Sequence, residues 1–163
     1  MPALLDRARP ILDRAFSLLD LTQPVLLLAV RLWGYQYQTD GWGKLTHHDK
    51  VTDFFTELGI PQPGLNAWFV GGLEFAGGWL LLLGLFSRPI ALVLAVNMLV
   101  AWLSVPDDRA TFLNAFGDPD AFIASDPFFY LLVALIVLCF GPGRISLDAL
   151  LARWFGPGLP GRS

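Results

Sequence analysis

Four stretches of the chain are rich enough in apolar residues, and nearly long enough, to cross a membrane. They cover residues 22–39, 67–86, 89–105 and 127–141. The second holds twenty residues, which matches the roughly 20 that a helix needs to span a bilayer core of about 30 Å. The fourth is short, so we expect its helix to begin earlier or to lie in locally thinner bilayer. This pattern predicts four transmembrane helices.

Three other segments have the helical spacing of apolar residues that is typical of amphipathic helices. Residues 1–20 combine a leucine-rich face with charged positions, which predicts a helix in the membrane interface. Residues 46–58 carry an apolar stripe and are predicted to rest on the outer membrane surface; the stripe consists of Val51, Phe54, Phe55 and Leu58. Residues 147–155 follow a helix-capping serine, Ser146.

The predicted fold class is all-α: an integral membrane four-helix bundle with interfacial amphipathic helices at the N-terminus, after the first span and at the C-terminus. We expect an interfacial segment at residues 1–20, a four-helix domain at 21–155 and a flexible tail at 156–163.

The composition supports a membrane location. Only 15% of the residues are charged and mean hydropathy is +0.55, whereas soluble domains carry about 25% charged residues. Membrane lipid is therefore a predicted partner. The chain has no Lys/Arg-rich run, so nucleic acid is not expected to bind. Seven Lys/Arg residues fall on the predicted N- and C-terminal side and three on the other. The positive-inside rule then places both termini in the cytoplasm.

Polar residues within the predicted spans are the candidate site. Arg31 in the first span and Glu74 in the second are expected to differ in depth by about 7 Å, a gap that long side chains can cover. Asn97 in the third span lies at a similar depth, and Tyr35 and Gln38 follow along the Arg31 face. One interpretation is a polar pocket for a small ligand, a quinone head group or a proton. The other is a structural ion pair that holds the first two spans together.

Other chemistry-bearing residues are few. His47 and His48 are adjacent, and neighbouring helical residues do not face each other, so we do not expect a metal site. Both lie outside the predicted spans, so we do not expect either to bind a transmembrane haem. Cys139 is the single cysteine, which rules out an intrachain disulfide or dithiol relay. A redox step would therefore require a bound cofactor or the thiols of a partner.

Five short motifs occur in an order that resembles the DoxX family. They are Gly41-x-Gly-Lys44, Gly59-Ile-Pro61, Glu74-x-x-Gly-Gly78, Leu83-Gly-Leu-Phe-Ser-Arg88 and Gly141-Pro-Gly-Arg-Ile-Ser-Leu-Asp148. The resemblance covers roughly residues 24–153. It implies four transmembrane helices in a bacterial inner membrane. Relatives include the DoxD subunit of an archaeal thiosulfate:quinone oxidoreductase, and some bacterial members are linked to membrane oxidoreductase complexes that handle thiol stress.

The leading functional hypothesis is an integral membrane subunit that docks or serves a redox enzyme, with quinone as a candidate cofactor and a protein of a membrane complex as partner. An accessory subunit fits the residues better than a self-sufficient catalyst. One alternative is an oligomeric transporter of small solutes or ions built around Arg31, Glu74 and Asn97. Another is a structural subunit of a larger membrane complex with no chemistry of its own.

Overall fold

The computed structural model describes residues 2–155, with side chains from residue 17 to residue 154. This part of the chain is helical and contains no strand, which confirms the all-α prediction. The predicted tail at 156–163 lies outside the described residues. The helices are α1 (Pro2–Leu32), α2 (Gly34–Thr46), α3 (His48–Glu57), α4 (Pro63–Leu83), α5 (Ser87–Ser104), α6 (Pro106–Leu113), α7 (Pro119–Ala124), α8 (Asp126–Phe140) and α9 (Leu147–Phe155).

Four helices of the bundle pack side by side in antiparallel order. α2 lies along α4, α4 along α5, and α5 along α8, while the end of α1 contacts both α4 and α8. Apolar side chains fill the space between them, among them Leu81, Leu94, Ala95, Val133 and Val137. The second, third and fourth predicted spans correspond to α4, α5 and α8, with ends shifted by a few residues.

Two of these helices have the length and composition of membrane spans. Within residues 2–155, α4 and α5 meet that test. The apolar helix α8 has 15 residues, or about 22 Å at 1.5 Å per residue, which is less than a bilayer core of about 30 Å. The crossing of the bilayer by four helices therefore stays a prediction.

The first predicted span is placed differently from expectation. α1 runs without a break past Thr22 to Leu32, and the Thr22 hydroxyl donates to the carbonyl of Leu19 within that helix at 2.7 Å. The prediction that a helix begins at Thr22 is therefore wrong. Leu21 is 69% exposed and Leu26 is 63% exposed, whereas Leu27 is 5% exposed, so one side of this part of α1 packs on the bundle. The helix is interrupted at Trp33, whose backbone stays in the right-handed helical region. The predicted first span is therefore divided between the end of α1 and the more polar α2.

Glycines hold α2 against α4. A Cβ atom on Gly34 would lie 2.7 Å from the carbonyl oxygen of Gly78, and one on Gly41 would lie 2.7 Å from that of Gly71. These distances are too short for any side chain, so backbone packs on backbone. This glycine contact, rather than the apolar run at residues 25–30, sets the position of α2 along α4.

Helices occupy two of the predicted amphipathic segments, 46–58 and 147–155, whereas residues 2–20 form part of the longer helix α1. α3 occupies most of the predicted 46–58 segment and packs on α4, where the His48 ring stacks on Trp68 with centroids 4.7 Å apart. Phe54 is 45% exposed, on a surface where lipid contact stays a prediction. The Ser146 hydroxyl accepts a hydrogen bond from the Ala149 amide at 3.1 Å, which confirms it as the cap of α9.

Replacing Gly78 with alanine should destabilise the protein. The added Cβ would lie 2.6 Å from the carbonyl oxygen of Gly34 and 2.9 Å from the Cα of Gln38, so the two helices would have to separate. We expect Gly78→Ala to lower the free energy of unfolding by about 1–3 kcal/mol, measured by thermal or denaturant unfolding in detergent.

Gly72→Ala on the same helix is the matched control, because a Cβ there meets nothing within 4 Å. This variant should be neutral or slightly stabilising, since alanine is the better helix former. Equal melting temperatures for the two variants would contradict the close packing of α2 on α4.

Candidate functional site

The packing of α2 on α4 places Glu74 next to Lys44. Gly41 contacts the backbone of Glu74, and Lys44 follows Gly41 by three residues on the same helix. The Lys44 ammonium forms an ion pair with Oε2 of Glu74. The Glu74 side chain is 3% exposed and the Lys44 side chain is 32% exposed. The pair therefore joins a buried carboxylate to a cation that reaches the surface of the bundle.

The other oxygen of Glu74 is also bonded. Asn97 on α5 donates from Nδ2 to Oε1 of Glu74 at 3.0 Å. Both carboxylate oxygens thus have a donor, which is what a buried charge requires if it is not to destabilise the fold.

A second group of polar residues joins α2 to α8 beside this pair. The Tyr130 hydroxyl donates to a carboxylate oxygen of Asp40. The Tyr37 hydroxyl donates to the Tyr130 carbonyl at 2.8 Å, and the two rings meet edge to face at 4.7 Å. Asp40 also interacts electrostatically with Glu74. We call Asp40, Lys44, Glu74, Asn97 and Tyr130 the Glu74 cluster.

Arg31 does not belong to this cluster, so its predicted pairing with Glu74 is wrong. Its guanidinium donates to the carbonyl of Leu82 at 3.2 Å and to that of Ile145. Arg31 is 1% exposed and interacts electrostatically with Asp148. The reason is that α2, rather than the end of α1, packs along the middle of α4. Arg31, near the end of α1, therefore lies at the end of the bundle beside the turn between α4 and α5.

Asp148 closes the same end of the bundle. Its carboxylate accepts hydrogen bonds from the amides of Phe86 and Ser87 at 2.8 and 2.9 Å, where α5 begins. Its own amide donates to the Gly84 carbonyl at 2.9 Å. α9 is thereby fastened to the α4–α5 turn, and Arg31 fastens the end of α1 to the same region.

The remaining predicted site residues lie apart from the Glu74 cluster. Tyr35 is 61% exposed on the outward side of α2. Gln38 is half-buried, and its backbone packs against Gly78. Of the five predicted residues, the structure brings together Glu74 and Asn97.

Three members of the cluster are absent from the predicted site, although the sequence contained a signal for two of them. Asp40 and Lys44 are four residues apart and share a helix face with Gln36. That polar stripe is visible in the sequence, but Lys44 is also one of the three Lys/Arg residues that the positive-inside rule assigns to the outer side. Tyr130 looks like an interfacial aromatic in an apolar helix, and only the packing of α8 shows its bond to Asp40.

The Glu74 cluster combines donors and proton-binding groups. An ammonium, an amide and a phenol hydroxyl can donate to carbonyl oxygens, and two carboxylates can take up protons. The three donor residues and Asp40 are partly exposed. This arrangement fits a small polar head group at the side of the bundle, or a proton held within it.

The Lys44–Glu74 pair should respond unequally to loss of each partner. Lys44→Met strands a buried carboxylate and should lower the free energy of unfolding by roughly 3–5 kcal/mol. Glu74→Gln should cost less, because the partly exposed ammonium of Lys44 can move toward water. The double variant should lose less than the sum of the single variants, as measured by unfolding in detergent.

Lys50→Met is the control for a lysine change, since Lys50 is exposed on α3. It should leave the melting temperature nearly unchanged. Additive losses in the double variant would mean that Lys44 and Glu74 do not interact.

Asp148 should be needed to hold α9 in place. Asp148→Ala removes the acceptor for two amides and should lower the free energy of unfolding by about 1–2 kcal/mol. Asp148→Asn keeps one acceptor oxygen, so its free energy of unfolding should lie between those of Asp148→Ala and the unchanged protein. Asp53→Ala, at an exposed position on α3, is the control, and an equal loss there would count against the closing role of Asp148.

Comparison with known proteins identifies the family of the chain. The family model described as DoxX matches residues 26–107, a segment that contains Asp40, Lys44, Glu74 and Asn97. The chain is 29% identical over 128 residues to "Inner membrane protein YqjF" of Escherichia coli (strain K12), which covers 78% of this chain and 92% of the relative. No solved structure matches. The chain therefore belongs to the DoxX family of membrane proteins.

Proposed function

We propose that the protein is a four-span subunit of the inner membrane that serves a redox enzyme and holds a quinone head group at the Glu74 cluster. The observation that carries this proposal is that α2, α4, α5 and α8 each contribute a polar side chain to one half-exposed cluster. Polar groups within membrane spans commonly mark substrate or proton pathways.

The donors of the cluster suit a quinone. A quinone presents two carbonyl oxygens, and Lys44 and Asn97 each keep N–H protons beyond those bonded to Glu74. The partial exposure of these donors supports entry from the side of the bundle, where an amphiphile with an apolar tail resides. Glu74 and Asp40 are the groups that would exchange protons with the bound head group.

The redox partner supplies the pair of thiols that this chain lacks. Cys139 is the single cysteine, so a dithiol of the partner enzyme is the proposed electron source. Its oxidation to a disulfide releases two electrons and two protons, and a quinone takes up both to become the quinol. The chain's part in this reaction is to position the head group and to pass protons through its carboxylates.

The proposed topology has four spans and cytoplasmic termini. The length of α4 and α5 supports two of the spans, and the packing of α2 and α8 against them supports the other two. The excess of arginine near the termini supports the orientation.

Thiol labelling tests this topology. In a Cys139→Ser background, single cysteines at Lys50 and Asn114 should react with a membrane-impermeant maleimide added to intact cells. Cysteines at Asp20 and Arg153 should react only after the membrane is permeabilised. All four positions are exposed in the fold, so external labelling at Arg153→Cys would contradict the topology.

Quinone binding should depend on the cluster. The purified protein in nanodiscs should be labelled by a photoreactive quinone analogue, and excess ubiquinone or menaquinone should compete. Asn97→Leu removes one donor while the Lys44–Glu74 ion pair stays in place, and it should reduce labelling by about tenfold, the effect of a lost donor worth about 1.4 kcal/mol. Lys50→Met should label as the unchanged protein does.

If Asn97→Leu and a folded Lys44→Met/Glu74→Gln double variant are both labelled as strongly as the unchanged protein, quinone is removed from the proposal. Solute flux in proteoliposomes that depends on Glu74 would favour the transporter alternative instead. Copurification of a redox enzyme that persists in the double variant would leave only a structural role for the chain in that complex.

A further inference from the structure

The end of the bundle that Arg31 and Asp148 close carries three further arginines. Arg88 is the second residue of α5, Arg144 lies in the link between α8 and α9, and Arg153 lies in the last turn of α9. Within the described part of the chain, none of these three forms an ion pair with a carboxylate. Their positive charge is therefore available to an anion from outside the chain.

Arg88 is held in place with most of its donors unused. Its guanidinium packs over the end of α8, where a Cβ on Gly141 would lie 3.5 Å from Nε and 3.6 Å from Nη2. Nη2 lies 3.5 Å from the carbonyl oxygen of Cys139, and Nη1 donates to no atom of the described chain. A guanidinium carries N–H groups in a planar fork that matches two oxygens of a phosphate. Arg88 therefore has the free donors that such a contact needs.

The fold keeps the other two arginines at the same end. Arg144 follows Gly141 by three residues, so its backbone lies within about 11 Å of the glycine that Arg88 covers. Arg153 is on α9, which Asp148 fastens to the amide of Ser87 at 2.9 Å, next to Arg88 in the chain. Arg144 and Arg153 are both exposed. The three charges therefore lie around one junction, between the α4–α5 turn and α9.

The outward face of α9 has the composition of a membrane interface. Leu150, Arg153 and Trp154 are the exposed residues in the described part of this helix, and their spacing of three and four places them on one face. Trp154 is 74% exposed. Tryptophan rings favour the level of the lipid head groups, and an amphipathic helix that pairs such rings with arginine lies in that layer.

The ends of the long apolar helices lie at the same level. α4 and α5 have the length and composition of membrane spans, and the turn between them directly precedes Arg88. An arginine one residue inside the start of a span lies at the edge of the hydrocarbon core. The anion that a membrane presents at this depth is the phosphate of a phospholipid.

We infer that Arg88, Arg144 and Arg153 bind the head group of an anionic phospholipid, with Trp154 in the interface beside it. A zwitterionic head group carries the same phosphate together with a cation, which the three arginines repel, so a lipid of net negative charge binds better. The inference rests on the proposed spans, which bring this junction to a membrane surface, and is independent of the quinone proposal.

Lipid titration followed by native mass spectrometry tests the inference. The purified protein in a neutral detergent should bind phosphatidylglycerol more tightly than phosphatidylcholine with the same acyl chains. Arg144→Gln should weaken the binding of phosphatidylglycerol by about fivefold, and Arg144→Gln with Arg153→Gln by about 25-fold, to the level of phosphatidylcholine. Arg109→Gln is the matched control, because Arg109 is exposed on α6, away from this junction, and it should bind as the unchanged protein does.

Equal binding of the two lipids, unchanged affinity in the double variant, or an equal loss in Arg109→Gln would overturn the site. Competition by inorganic phosphate at millimolar concentration would show a site for a free anion and would also overturn the lipid. Neither outcome alters the labelling expected from the quinone analogue, so the two proposals fail separately.

Thermal unfolding gives a second measure and checks the folding of the variants. Arg144 and Arg153 are exposed and have no ion-pair partner in the described chain, so their double variant should melt as the unchanged protein does in detergent alone. Phosphatidylglycerol should raise the melting temperature of the unchanged protein more than phosphatidylcholine does, because a ligand stabilises the state that binds it. A rise of the same size in the double variant would contradict the inference.

Discussion

The close contact between the backbones of α2 and α4 determines the geometry of the rest of the bundle. Gly34 and Gly41 meet Gly78 and Gly71 at distances that leave no room for a side chain. This contact allows one register between the two helices, since a shift by one residue would bring a bulky side chain against backbone. The positions of the charged residues on α2 follow directly from that register.

With the register set, the charged residues separate into two groups at different depths. Lys44 reaches Glu74 within the bundle, while Arg31 reaches the carbonyls at the end of α4 and before α9. The first group links α2, α4 and α5, and Tyr130 extends it to α8. The second group, together with Asp148, closes the end where α1, α5 and α9 meet. A cation therefore lies in each group, Lys44 within the bundle and Arg31 at its end.

The sequence predicts the helices well and the first span poorly, for a physical reason. α4, α5 and α8 are apolar runs bounded by glycine or proline, so hydropathy alone locates them. In the first span the apolar run at residues 25–30 precedes the polar helix that packs in the bundle. Depth counted from Thr22 therefore placed Arg31 beside Glu74. Glu74 and Asn97 were predictable because both are polar residues in otherwise apolar spans, whereas Tyr130 depends on a contact between distant helices.

The polarity of α2 has a consequence for how the chain enters the membrane. In the proposed topology, Asp40 and Lys44 each oppose insertion of the first span by about 2.5–3.5 kcal/mol if the helix enters lipid alone. α4 is apolar apart from Glu74 and enters more readily. Pairing of Lys44 with Glu74 neutralises a charge on each helix, and the glycine contact lets α2 and α4 associate along their length. Insertion of the first span should therefore follow synthesis of the second, with α2 and α4 entering as a hairpin around α3.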